Sequence, residues 1–322
     1  MYHCMGNGYI GNRSRSDPEG NNSDKVQAMI EPSIHYRLTG LFERAPVIPL
    51  SGSDRYVIVS DMHMGDGSRN DDFKRTSSLF SSVFENFYFE RGFKLVLNGD
   101  VEDLHKFVLN RVLYRWNMIY EIFKRFRDEI SLFRLHGNHD PFFYFPEGHS
   151  VFHRQFEAVR MRFEEADLFF LHGHQASNWL ERLHGLNTVM FKTVINPLKI
   201  HGLGLDLGKK GITVKEERLQ KFSVLHRIMT FMGHTHRPLF GSDSNVPLLY
   251  NSGAAVGTKG ITTLEIDRGS LNLVHWWGRD LVKRYLDVER FEPERLGARD
   301  IYRVVLRSGP LSGILRSAGV PC

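Results

Sequence analysis

Five apolar runs of strand length end in the same kind of punctuation. Tyr56-Val57-Ile58-Val59 gives way to Ser60-Asp61-Met62-His63, and Lys94-Leu95-Val96-Leu97-Asn98 to Gly99-Asp100. Leu132-Phe133-Arg134-Leu135 leads into His136-Gly137-Asn138-His139-Asp140, and Leu168-Phe169-Phe170-Leu171 into His172-Gly173-His174. Ile228-Met229-Thr230-Phe231-Met232 leads into Gly233-His234-Thr235-His236. Runs this short and apolar read as buried strands. Buried strands whose C-terminal ends all carry polar residues describe the active edge of an open α/β sheet. Glycine at such ends lets the backbone turn sharply and approach a ligand. Asp, Asn and His suit divalent cations such as Mn²⁺, Fe²⁺, Zn²⁺ or Co²⁺. If the chain stays extended, Asp61 and His63 leave the same face. One Asp-x-His pair alone reads as a structural hydrogen bond; five such ends in order do not.

Asp61-x-His63, Gly99-Asp100, Gly137-Asn138-His139-Asp140, His172 and Gly233-His234-x-His236 together resemble the motif series of the calcineurin-like metallophosphoesterases. The resemblance covers Tyr56 to Val274, and Asn251-Ser252-Gly253-Ala254 fits the turn that follows the last motif. Order and spacing are most similar to the UDP-2,3-diacylglucosamine hydrolase branch. That branch more typically has Arg where this chain has His139. The resemblance implies an α/β fold, a four-layer α/β/β/α sandwich with a helical cap inserted. It also implies two divalent metal ions, Mn²⁺ first. Asp61, His63 and His236 would hold one ion, Asn138, His172 and His234 the other, and Asp100 would bridge them. Imidazole serves one cation where a carboxylate serves two. A metal-activated hydroxide would then attack phosphorus. His139 would contact a phosphoryl oxygen or protonate the leaving group, oriented by Asp140. His174 either joins the site or bonds a neighbouring backbone. The implied reaction cleaves the pyrophosphate of an acylated UDP-sugar to a lipid monophosphate and UMP. The alternatives are a phosphoesterase acting on nucleotides, phosphoprotein or nucleic acid, and a non-catalytic scaffold.

Around this frame, residues 1 to about 25 are rich in Gly, Asn, Ser and Asp and read as disordered. Pro32, Pro46 and Pro49 suggest an extended arm up to residue 50, before a phosphoesterase domain over 51–278. Apolar spacing predicts helices over Thr76–Arg91, Leu104–Phe126 and Val151–Glu165. Asp103 either caps the second of these or buttresses the metal site. Between the fourth and fifth motifs lies an insertion, about 175–225, far longer than a compact sheet needs. By resemblance its apolar residues, Trp179 to Phe191, form a substrate cap, and Lys192, Lys199, Lys209 and Lys210 meet phosphate. A basic extension over 279–322 completes the chain.

Composition constrains partners more than fold. The two cysteines, Cys4 and Cys322, form no disulfide framework or Cys-based zinc site, and a cytoplasmic setting is the simplest expectation. The start lacks a signal-peptide pattern, and no apolar run reaches bilayer length. A net charge of +5 points to anionic partners, either phosphorylated small molecules or the headgroups of an anionic membrane touched peripherally. For the tail arginines a membrane face and a nucleic-acid patch are rival readings, and the interspersed acids Asp280, Asp287 and Glu289 favour neither over a plain solvated surface, so nucleic acid is not the expected partner.

Overall fold

The computed structural model describes residues 30–141, 151–178, 212–241, 247–257, 260–278, 293–297 and 300–321. The N-terminal half contributes α1 (Pro32–Arg44), β1 (Val47–Leu50), β2 (Arg55–Val59), α2 (Ser77–Val83), β3 (Lys94–Asn98), α3 (Leu109–Arg115), α4 (Asn117–Arg125) and β4 (Leu132–Leu135). After it come β5 (Gln155–Phe156), β6 (Ala158–Phe163), β7 (Ala166–Leu171), α5 (Val214–His226), β8 (Met229–Met232) and β9 (Leu249–Asn251). The chain closes with β10 (Ile261–Asp267), β11 (Ser270–Gly278), β12 (Glu294–Arg295), β13 (Ile301–Pro310) and α6 (Leu311–Ser317).

Among the described residues the strands form two sheets. One is eight-stranded, in the order β12-β13-β11-β10-β2-β3-β4-β5, and the other five-stranded, β1-β6-β7-β8-β9. Alternation along each central strand explains why the sheets stack. On β2, Val57 and Val59 pack towards α2, α3 and α4, while Tyr56 and Ile58 pack against the other sheet. On β7, Leu168 and Phe170 face inwards, and Phe169 and Leu171 face α1 and α5. Strands apolar on both faces need cover on both, and the outcome is helix, sheet, sheet, helix. This is the four-layer α/β sandwich expected from the motifs. β2, β3 and β4 run parallel, as do β7, β8 and β9, so the motif-bearing ends gather along one edge.

Several elements differ from the sequence expectation. In place of an extended arm, residues 32–44 form α1, whose Pro32 sits in the first turn and whose Ile34, Leu38 and Leu41 are buried on one face. Proline is well suited to a helix's first turn, where its missing N–H costs nothing, so Pro32 starts a helix. Pro49 lies in β1, an edge strand, where proline is tolerated. The helix expected over Val151–Glu165 is instead β5 and β6. Val159, Met161 and Phe163 are buried while Arg160 and Arg162 are half-exposed, a period of two. The helix expected over Leu104–Phe126 begins only at Leu109 and breaks at Trp116, dividing α3 from α4. Thr76–Arg91 is helical, α2 continuing into π-helical turns over Phe84–Phe89. The C-terminal stretch is no appendage: β13 pairs along β11. One of its basic residues, Arg303, bonds the buried Glu265 (Nη2 to Oε2, 2.6 Å). Residues 1–29 and 179–211 lie outside the described residues, and with them the body of the expected cap, including Lys192, Lys199, Lys209 and Lys210. Among the described residues no helix is long and apolar enough to cross a membrane.

Candidate metal centre

The gathered strand ends do not stay extended. Asp61, His63, Asp100, His234 and His236 all adopt left-handed backbone, with φ of 53°, 45°, 52°, 69° and 56°. The expected same-face geometry of Asp61 and His63 therefore gives way to a tight curl after Val59. Such φ values cost non-glycine residues energy and persist where surroundings over-determine them. Here the N–H groups of Asp61, Met62, His63 and Met64 donate to the carbonyls of Gly99, Asp100 and Val101, at 2.8 to 3.1 Å. The His234 N–H donates to both carboxylate oxygens of Asp61, at 3.1 and 2.9 Å. Gly137 is required by crowding: a Cβ there would collide with the backbone and side chain of Asp100.

Three groups of donors converge among the described residues; one, His63, Asp103 and His139, lies at the edge, and the other two form the centre. In the first of these two, His236 Nε2 lies 3.1 Å from Asp61 Oδ1, and His63 Nε2 lies 3.0 Å from His236 Nε2. In the second, His172 Nε2 lies 3.1 Å from Asp100 Oδ2, with His234 alongside. His63 links them, its Nε2 3.7 Å from Asp100 Oδ2. Each of the sets Asp61, His63, His236 and Asp100, His172, His234 has its ligand atoms within 4.8 Å of one another.

The residues fit divalent cations on chemical grounds. His172 Nδ1 bonds the Asn98 carbonyl at 2.8 Å, which fixes the ring and turns Nε2 towards two carboxylates. Among the described residues the buried Asn138 Oδ1 has no hydrogen-bond partner. Buried acceptors left without protein partners are costly unless something else meets them. Burial would raise Asp61, yet His236 and His172 hold it at about 2. Burial opposes charging His172, but Asp100 and Asp61 push it up to about 10, so without an ion a proton supplies the missing positive charge. Burial drives His63 and His234 down to about 3 and keeps them neutral, the form that ligates metal.

His139 stands at the edge of this centre, its ring 4.6 Å from that of His63. The residue that orients it is Asp103, not Asp140: His139 Nδ1 lies 2.8 Å from Asp103 Oδ1. Asp140 is fully buried beneath the loops, accepting from the N–H groups of Asp100, Val101 and Gly137 and pairing with Arg134. It cannot reach a substrate. His174 sits with its ring 5.7 Å from that of His172, close to the second donor group but outside both sets.

Comparison with known proteins agrees with the geometry. The profile of the calcineurin-like phosphoesterase family matches residues 55–256. The chain belongs to the calcineurin-like phosphoesterases. Solved structures similar to this chain include the phosphoesterase Yfce from E. coli, at 15% identity over 68% of this chain and 91% of that one, with a TM-score of 0.34. Vacuolar Protein Sorting 29 from Cryptosporidium parvum matches at 15% identity, over 71% of this chain and 93% of the other, with a TM-score of 0.38. Vps29 from Entamoeba histolytica matches at 13%, over 70% and 94%, with a TM-score of 0.37. No curated protein matches. Membership of this family, together with the two donor sets, implies divalent metal ions.

Further residues brace the motif loops. Asn251 braces the final loop, its Nδ2 donating to Gly233 O at 3.0 Å and to Thr235 Oγ1 at 2.8 Å. Ser60 Oγ donates to Asp61 Oδ2 at 2.5 Å. Lys215, at the start of α5, places Nζ 2.6 Å from His234 Nε2. The only sequence cue for Lys215 was the capping pattern Thr213-x-x-Glu216, which sets the helix start beside the last motif.

Proposed function

We propose that the protein is a two-metal phosphohydrolase. The observation that carries this reading is the pair of donor sets meeting at Asp61, His63 and Asp100, with the buried oxygen of Asn138 left without a partner among the described residues. Asp61, His63 and His236 would hold one ion, and His172, His234 and Asn138 the other. Asp100, its Oδ2 3.1 Å from His172 and 3.7 Å from His63, would serve both. When bound, two divalent ions, Mn²⁺ first and Fe²⁺, Zn²⁺ or Co²⁺ as alternatives, supply Lewis acidity and an activated water for attack on phosphorus.

The chain's own residues do the rest. The His139 N–H donates to Asp100 Oδ1 at 2.9 Å, which fixes the shared carboxylate. Asp103 accepts from His139 Nδ1, so the imidazole presents Nε2 to the site as a proton donor to the leaving oxygen. Burial works against the charged form of His139, but Asp100 and Asp103 raise its pKa, which keeps the donor protonated to higher pH. Asp103 is a positioning residue and His139 the catalytic acid.

For substrate, a phosphodiester or pyrophosphate of a small molecule is the reading to test. An acylated UDP-sugar remains one arm of that test, since residues 179–211, the greater part of the insertion that argued for it, lie outside the described residues. Purified protein with Mn²⁺ is offered bis(p-nitrophenyl) phosphate, p-nitrophenyl phosphate and UDP-2,3-diacylglucosamine, beside an Asn138→Ala control. Turnover of the diester, abolished in the control, is expected. Release of UMP as the fastest reaction would assign the lipid-sugar substrate. Silence on every substrate with metal bound would replace hydrolysis with a scaffold role.

A further inference from the structure

A cation outside the motifs reaches the centre. Lys215 Nζ lies 2.6 Å from Nε2 of His234, a residue of the second donor set. The contact is built in by the helix start. Thr213 Oγ1 accepts from the Glu216 N–H at 3.2 Å, and Glu216 Oε2 accepts from the Thr213 N–H at 2.7 Å. The fully buried Glu216 also takes a bond from Thr235 Oγ1 at 2.6 Å and lies 3.5 Å from Arg237. Thr235 is the residue between His234 and His236, so these bonds tie the first turn of α5 to the last motif.

Lys215 and an ion at His234 exclude one another. An ammonium only donates, so its bond to Nε2 needs that nitrogen's lone pair, with the ring proton on Nδ1. An ion ligated by Nε2 takes the same lone pair. An ion ligated by Nδ1 moves the ring proton to Nε2, which then faces the ammonium donor to donor. In either case the lysine leaves the imidazole, and a flexible four-carbon stem lets it do so without moving the helix. The dication repels the displaced ammonium, while a substrate phosphoryl group bound at the same ion attracts it.

We infer that Lys215 is a substrate-binding residue with two positions: on His234 without metal, and on the phosphoryl oxygens of the substrate when metal is bound. This rests on the two-metal reading and adds to it a substrate contact, together with a competition that weakens metal binding in the absence of substrate.

The test uses the full chain as wild type, Lys215→Met and Lys215→Arg. Calorimetry measures Mn²⁺ binding without substrate, and then inorganic phosphate binding to the Mn²⁺-loaded protein. Removing the ammonium is expected to tighten Mn²⁺ binding by about three- to tenfold and weaken phosphate binding by about tenfold. Arginine restores most of the phosphate affinity. Mn²⁺ and phosphate affinities both within about twofold of wild type in Lys215→Met would overturn the inference, as would weaker Mn²⁺ binding. Tighter Mn²⁺ with unchanged phosphate would refute the substrate contact, and the reverse pattern would refute the competition. A wild-type protein that binds no Mn²⁺ would instead overturn the two-metal reading itself, and this inference with it.

Discussion

Replacing Asp103 by Asn isolates what orientation of His139 is worth. Asp103 is buried and its carboxylate is shared: Oδ1 lies 2.8 Å from His139 Nδ1, and Oδ2 lies 2.8 Å from Lys106 Nζ. Asparagine keeps the shape but removes the charge, and its amide can present an N–H to Nδ1 and so stabilise the wrong tautomer. A buried hydrogen bond to a charged group is worth roughly 2–3 kcal/mol. If that difference is felt in the transition state, kcat falls by about 30- to 150-fold at 1.36 kcal/mol per factor of ten. KM should change little, because Asp103 is not a ligand in the proposed scheme. The pH profile carries a second readout. Burial works against the charged form of His139, while Asp103, bonded to Nδ1, raises its pKa, so the protonated acid persists to higher pH in the wild type. In Asp103→Asn the decline in kcat with rising pH should therefore begin at lower pH. The assay is steady-state diester hydrolysis with Mn²⁺ from pH 5 to about 9, with metal content checked for both proteins. A variant with kcat within about threefold of wild type and an unmoved profile would refute the role given to this pair.

Other perturbations test the frame around the site. Gly137→Ala should abolish activity and lower Mn²⁺ retention, because the added Cβ displaces Asp100; equal metal content by plasma emission would contradict this. Arg134→Met leaves the buried Glu102 and Asp140 without their cation and should destabilise the fold by about 3–5 kcal/mol in urea unfolding; a loss under about 1 kcal/mol would mean the carboxylates are otherwise satisfied. Burial, then Arg134, pushes His136 down to about 4, so the unfolded chain binds that proton first. Stability of the metal-free protein should thus fall as pH drops from about 6.5 to about 4, by roughly 2–3 kcal/mol from this residue. Comparing wild type with His136→Gln isolates that slope, and equal slopes would remove His136 as the cause.

The sheet edge was legible because parallel strands buried on both faces leave unbroken apolar runs, and because a glycine or a metal-binding residue type marks each end. The layer order followed from the motif series and agrees with the alternation of Tyr56 and Ile58 against Val57 and Val59. What escaped was decided by contacts distant in sequence. Val151–Glu165 looked helical because Phe152, Phe156 and Val159 also fall near a helical spacing, while its period of two shows only when β6 pairs with β7. Pro32 suggested an arm, yet the apolar face of Ile34, Leu38 and Leu41 finds its cover on the five-stranded sheet. Asp140 adjoins His139 in sequence, and adjacency suggested partnership. The loop instead turns Asp140 under the backbone and leaves the imidazole to Asp103, 36 residues away. Lys215 needed the helix start and the last motif to be seen together.

The most direct test of the two-metal account counts Mn²⁺ per chain, after equilibrium dialysis, in wild type and in Asp100→Asn, with diester turnover measured on the same samples. The account predicts about two ions per wild-type chain. It predicts fewer than about one in the variant, whose turnover falls by about a thousandfold or more, since an amide has one oxygen to offer where two cations need two. An Asp100→Asn protein that keeps both ions and turns over normally would contradict it.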